Sequence, residues 1–263
     1  MKPVFSTKAF IIVWLVIWSV FLSFLFELRG IPLLQIMFMA VVVISPVVYI
    51  IVQARIIRNV PAIFNASERI HKLNRFIKRN TVRLRLPFMR PVRRHALILL
   101  ARAYADMGDY GAVYRTYADI VPLHPKNFET APHAGLTDAE YYAVVVEAFI
   151  HSNRHKAAEE KLNQMLGKIF TDDKSNCLVK YTHAYFLTHT GGIDGAREII
   201  VTLKECEDNF ISERVHYLEA IIYKLEKRME IAYAEFSCLA ENCRDYGITR
   251  KAKEELEYWT TRF

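Results

Sequence analysis

The sequence predicts an all-α protein: an N-terminal two-helix transmembrane hairpin followed by a helical-repeat solenoid. Three observations lead there. Two long apolar runs fill most of residues 1–52. From Arg94 onward, apolar residues recur at helical spacing, in pairs of patterns that meet at turn residues. The charge also changes in steps along the 263 residues, from an apolar head through a basic neck to a mildly acidic body. The expected divisions are a hairpin over 1–52, a basic amphipathic juxtamembrane neck over 53–93, and a repeat domain over 94–263.

The first apolar run extends from Ala9 to Phe26 and is interrupted only by Ser19 and Ser23. Its length approaches the roughly 20 residues that cross a bilayer. A secretory signal core is shorter and leads into small residues at a cleavage site, and Ser23-Phe24-Leu25-Phe26-Glu27 offers none. The second run, Ile31 to Val52, contains Pro46, which kinks but does not forbid a membrane helix. Glu27-Leu28-Arg29-Gly30 would form a tight turn between them. Lys2 and Lys8 precede the hairpin and a strongly positive segment follows it. The positive-inside rule therefore places both termini in the cytoplasm, at a bacterial inner or plasma membrane. No acid, base or His lies within the two runs to suggest transport, which leaves an anchor.

The neck holds the strongest charge. Residues 53–95 contain twelve Lys/Arg and one acid, Glu68, whereas residues 96–263 contain twenty Lys/Arg and twenty-six Asp/Glu. The overall pI of 9.2 thus comes from the neck and is no argument for nucleic-acid binding by the body. From Pro61 to Lys78, Ile63, Phe64, Ile70, Leu73, Phe76 and Ile77 recur at helical spacing. Arg69, Lys72, Arg75, Lys78 and Arg79 fill most of the remaining surface. Such a basic amphipathic helix is expected to meet an anionic leaflet, with those five residues on the membrane surface. Thr81 to Leu86 alternates polar and apolar residues and predicts a short extended segment. Arg83 and Arg85 suit phosphate contacts, but no nucleic-acid motif surrounds them.

The body begins with a helix–turn–helix pattern from Arg94 to Asn127. Leu97, Leu100, Ala101 and Tyr104 share one face. A turn follows at Gly108-Asp109-Tyr110, then Val113, Tyr117 and Ile120 share a second face, and Pro125 closes the unit. These residues resemble a tetratricopeptide repeat, a 34-residue helical hairpin. Val113 and Ile120 stand where that family prefers Ala, so looser packing of the two helices is implied. One repeat cannot bury its own face, so further units are expected. Weaker matches follow, with turns at Asn153, at Gly191-Gly192 and near Lys227-Arg228. Ala158, Ala196 and Ala232 take the close-packing position of the second helix, at spacings of 45, 38 and 36 residues counted from Val113. Thr137 with Glu140 reads as the N-terminal cap of the second unit. A final helix over Thr249 to Thr261, with Leu256 and Trp259 on one side, reads as a terminal cap.

The resemblance implies a function and a site. In tetratricopeptide arrays the first helices line a concave groove that holds a peptide or a partner helix. The groove positions carried over here include Arg102, Glu147, Tyr181, Tyr185, Tyr217 and Lys224. The Lys/Asn/Arg set of the family's carboxylate clamp does not occur at them. The expected role is a membrane-anchored adaptor that recruits a cytoplasmic protein partner through this groove, without enzymatic activity. The alternative is a structural or accessory subunit of a membrane complex, assembled through the hairpin.

Other chemistry finds little support. Gly191-Gly192 with Gly195 follows a helical pattern and lacks the Lys-Ser/Thr ending of a phosphate-binding loop. His151 and His155 have the spacing of a helical metal pair but flank the turn at Asn153, which predicts surface histidines. Cys177, Cys206, Cys238 and Cys243 match no zinc spacing and read as free thiols in a reducing compartment. No nucleophile–base–acid arrangement emerges, and no cofactor or metal is expected.

Overall fold

A computed structural model describes residues 65–85, 89–125, 128, 130–206 and 209–260, together with isolated positions between 48 and 63. Helices dominate. α1 spans Ala66–Arg79, α2 Thr81–Leu84, α3 Arg90–Asp106 and α4 Tyr110–Ile120. They are followed by α5 over Leu136–His151, α6 over His155–Leu166, α7 over Asp173–Thr190 and α8 over Ile193–Leu203. The last are α9 over Asn209–Leu225, α10 over Met229–Asn242 and α11 over Tyr246–Thr260. Two short strands, β1 (His133–Ala134) and β2 (Ile169–Phe170), pair in parallel, His133 opposite Ile169.

The expected membrane hairpin is corrected. Ala9 to Phe26 and nearly all of Ile31 to Val52 lie outside the described residues. Among the described residues no helix is long and apolar enough to cross a membrane. The longest described helix, α7, reaches 18 residues but carries Asp173, Lys174 and Lys180 on its exposed side, too many charges for a span. The described architecture is an all-α, repeat-like packing.

Four helical hairpins, α3–α4, α5–α6, α7–α8 and α9–α10, share one turn geometry. Gly108, Asn153, Gly191 and Lys227 each adopt a positive φ, of 76°, 55°, 91° and 62°. The residue after each sends its N–H back to the carbonyl five positions earlier. The bonds are Asp109 to Tyr104 (3.0 Å), Arg154 to Phe149 (2.8 Å), Gly192 to Leu187 (2.8 Å) and Arg228 to Tyr223 (2.9 Å). A left-handed residue followed by this six-to-one bond satisfies helix-terminal carbonyls and reverses the chain. Five residues beyond each left-handed residue come Val113, Ala158, Ala196 and Ala232, all buried where the second helix meets the first. Val113 is 1% exposed, so the larger side chain is fully packed.

Several local expectations change. Thr81–Leu84 forms a helical turn in place of an extended segment, because Thr81 bonds back to the Ile77 and Lys78 carbonyls and continues α1. The cap of α5 is Gly135, whose N–H donates to Asp138 at 3.2 Å, so the capping carboxylate is Asp138 and not Glu140. α11 begins at Tyr246, three residues before Thr249. Cys177 and Cys206 form a disulfide between α7 and the segment after α8, which corrects the reading of four free thiols. Cys238 and Cys243 remain free.

α1 packs along α3. Asn65 caps it by accepting from the Ser67 and Glu68 N–H groups. Ala66 and Leu73 are buried, and Ile70, Phe76 and Ile77 are half-buried against the same core. The basic helix is thus part of the helical body's packing.

Candidate functional site at the inner wall

The first helices of the hairpins stack in sequence, α3 on α5, α5 on α7 and α7 on α9. α11 then takes the next place. It packs on α10 and α9 and, with its other side, on α3. The row of first helices therefore closes on itself, and the concave wall expected to be an open groove faces the chain's own last helix.

Two loops of side chains make this closure. Glu213 accepts from the Arg244 and Asp245 N–H groups at 2.9 and 2.8 Å, and Arg214 bonds Asp245 at 2.9 Å. Consecutive residues of α9 thus hold the lead-in to α11. Asp245 also accepts from the Gly247 N–H at 2.9 Å. One turn on, Arg250 donates to the Asp106 carbonyl at 2.7 Å and Lys251 donates to Glu147 at 2.5 Å. Glu147 in turn accepts from Arg102 at 2.8 Å. Arg102 also contacts Asp106 at 3.2 Å, and Asp106 receives Arg69 from α1 at 2.8 Å. Five helix-borne charges from α1, α3, α5 and α11 are joined in one chain of ion pairs.

Burial gives the network its energetics. Glu147 and Lys251 are 5% and 6% exposed. Burial alone would raise the Glu147 carboxyl, but Lys251 and Arg102 outweigh it and hold the group well below the usual carboxylate range. Burial likewise acts to lower Arg102, and Glu147 with Asp106 reverses it and keeps the guanidinium charged. Asp106 and Asp245 are pushed up, by burial first. Removing one member of such a set strands a buried charge, at a cost of about 3–5 kcal/mol.

The residues carried over to the groove fall as follows. Arg102 and Glu147 meet in the ion-pair chain. Tyr181, Tyr185 and Tyr217 do share one wall, but they are buried at 4%, 2% and 6% exposure and are not displayed to solvent. The Lys251 ammonium lies over the Tyr185 and Tyr217 rings at 5.3 and 5.9 Å, and the Arg214 guanidinium over Tyr181 at 5.5 Å. Burial pushes all three phenols above their ordinary range. Lys224 reaches Glu255 of α11. Each position that the resemblance assigned to a ligand is thus occupied from within the chain.

His151 and His155 do not share a face. His155 opens α6 and is exposed. His151 ends α5, stacks on Tyr110 at 4.3 Å and bonds the Tyr185 hydroxyl at 2.7 Å. Among the described residues no cluster of His, Cys, Asp or Glu has metal-ligand geometry. A cavity of about 440 Å³ remains at the turn end of the closed row, between Gly108, Tyr110, His151 and the α11 residues Arg250, Glu254 and Tyr258.

The basic positions of α1 divide. Arg69 turns inward to Asp106, its side chain only 11% exposed, and so departs from the expected membrane-facing set. Lys72, Arg75, Lys78 and Arg79 stand on the outer face.

The residues that sequence reading missed are Asp106, Arg214, Asp245, Arg250 and Lys251. A signal existed for Asp106: it sits four residues after Arg102 in an otherwise apolar stretch, ALILLARAYAD. None existed for Lys251, which resembles any surface lysine of a charged helix until α11 is folded back. Comparison with protein-family models, with curated proteins and with solved structures finds no match for this chain.

Proposed function

We propose that the repeat region is a tetratricopeptide-like interaction module that takes a protein helix against its inner wall, and that α11 is the chain's own occupant of that wall. The observation that supports this reading is the Lys251–Glu147 pair. An internal helix supplies a cation to an acidic point flanked by aromatic rings, at positions where repeat proteins of this kind engage ligands. A partner helix with a Lys or Arg at the place of Lys251, and small or apolar residues at the places of Ile248 and Ala252, would make the same contacts. Recruitment then requires α11 to yield, and the role is binding, not chemistry.

The test uses a photo-crosslinking residue at His151, on the wall side of the cavity at the end of α5, and another at Glu159, exposed on α6. The same polypeptide captured from native extract through position 151 and absent at 159 is the expected result, with more capture when Lys251→Ala loosens α11. Capture that is equal at both positions, or unaffected by the Lys251 change, would contradict the reading.

A further inference from the structure

We infer that the outer face of α1, with the apolar edge that precedes it, is a docking surface for an anionic lipid bilayer. The inference is independent of the partner-helix reading and rests on a different part of the molecule.

The first observation is one-sided charge. Lys72, Arg75, Lys78 and Arg79 are exposed on the side of α1 turned away from α3. The one acid of the helix, Glu68, is tied to Lys72 at 2.7 Å. Arg85 and Arg90 continue the exposed basic surface beyond α2. Residues 96–263 carry an acidic excess, so the positive field of the molecule is concentrated at this end.

The second observation is exposed apolar surface beside it. Val48, Ile51 and Val52 fall at one helical spacing and are 50%, 59% and 47% exposed. Arg55, one turn on, is exposed as well. Ile57 and Val60 then enter the core at 1% and 9% exposure. The Val60 N–H bonds the Ile57 carbonyl, and the Ile63 N–H bonds the Val60 carbonyl, both at 3.0 Å. The apolar edge is thereby joined to the end of the body where α1 begins.

The third observation is that α1 cannot swing free. Leu73 is buried, Asn74 donates to the Tyr104 hydroxyl at 3.2 Å, and Arg69 is fixed on buried Asp106. A rigid helix presents these charges together, so no backbone ordering cost is added on contact.

A basic face bordered by exposed aliphatic side chains matches a headgroup layer over hydrocarbon: the cations meet phosphates and the aliphatic groups enter the acyl boundary. Nucleic acid would use the cations but offers nothing to Val48, Ile51 and Val52, and among the described residues the exposed set contains no aromatic platform for bases. The chemistry therefore selects lipid.

The experiment compares partition of the full chain into phosphatidylcholine vesicles and into vesicles with about one-third phosphatidylserine. The ratio of the two cancels any contribution from the apolar sequence over residues 1–47, which every variant retains. Wild type should prefer anionic vesicles, and a Lys72→Gln, Arg75→Gln, Lys78→Gln, Arg79→Gln variant should lower that preference more than about tenfold, since each cation near such a surface counts for about 1 kcal/mol. A thermal melt first confirms that the variant is folded, which its solvent-facing positions favour. Val48→Ser with Ile51→Ser should weaken binding to anionic vesicles by a factor that persists at 0.5 M salt, where the charge contribution is screened. A wild type with no anionic preference, or a fourfold variant that keeps it, overturns the inference. So does tighter binding of the wild type to single-stranded polyuridylate than to anionic vesicles at the same ionic strength.

Discussion

Lys251 and Glu147 lie 104 residues apart in sequence and 2.5 Å apart in space. This pair joins the last described helix to the second hairpin, and each partner is less than a tenth exposed. Lys251→Met removes the cation while keeping most of the side-chain volume. It should destabilise the protein by about 3–5 kcal/mol, because Glu147 keeps its charge in a buried setting. The double change Lys251→Met with Glu147→Leu should recover part of the loss. Urea denaturation of the two variants measures both.

Gly247 tests how tightly α11 approaches α3. A Cβ at this position would lie 2.6 Å from Asp106 Oδ1 and 3.1 Å from its Cγ. Asp106 is held by Arg69 and Arg102 and has nowhere to move. Gly247→Ala should therefore cost about 1–3 kcal/mol. Gly111→Ala is the control: its Cβ would meet Asp109 at an ordinary 3.5 Å in the first turn of α4, and it should stabilise by about 0.5–1 kcal/mol.

The fourth turn has no glycine. Lys227 adopts φ 62° and is exposed, so its side chain carries left-handed strain at the surface. Lys227→Gly should raise stability by about 0.5–1 kcal/mol, the relieved strain partly offset by chain entropy. Gly191→Ala, at φ 91°, should move stability the other way. Differential scanning calorimetry would resolve both.

The Cys177–Cys206 bond closes a loop of 29 residues. Denatured but unreduced protein should show two titratable thiols, from Cys238 and Cys243. Reduction should lower stability by about 3.5 kcal/mol in the chain-entropy account. Four titratable thiols before reduction would contradict the bond.

Glu140 should report on pH. Burial pushes its carboxyl up to about 7, and among the described residues its Oε2 has no hydrogen-bond partner. The unfolded chain ionises this group at the ordinary carboxylate value of about 4.5, so between about 4.5 and 7 the unfolded state binds fewer protons and stability falls as pH rises. The stability difference between Glu140→Gln and wild type should be near zero below pH 4.5, grow through that window and level off above it, at roughly 3 kcal/mol. A flat difference would place Glu140 in water.

The repeat architecture of the body was legible in the sequence because its signals are local. Gly108, Asn153, Gly191 and Lys227 mark their turns by spacing from Val113, Ala158, Ala196 and Ala232, and helical periodicity located the faces. The candidate wall was half legible. Repeat register alone placed Arg102, Glu147, Tyr181, Tyr185 and Tyr217 on one surface. What covers that surface was not, because the fold-back of α11 depends on pairings such as Arg250 with Asp106 that leave no periodic trace. The cysteine reading failed for the same reason: Cys177 and Cys206 meet only when α7 and α8 are packed. Arg69 shows the limit of charge counting, since a cation on a basic helix served the interior instead of the surface.

Solenoids are usually quasi-one-dimensional, with each repeat stabilised by its neighbours alone. The Arg250–Asp106 bond spans 144 residues and removes that property. During synthesis at about 5–20 residues per second, the first hairpin emerges roughly 7–30 s before the helix that completes its surroundings. For that interval Asp106, Arg102 and Glu147 have no α11 to meet. The nascent chain thus presents an unfinished inner wall to the cell before the finished protein closes it, and any factor that recognises this wall has its widest opportunity on the ribosome.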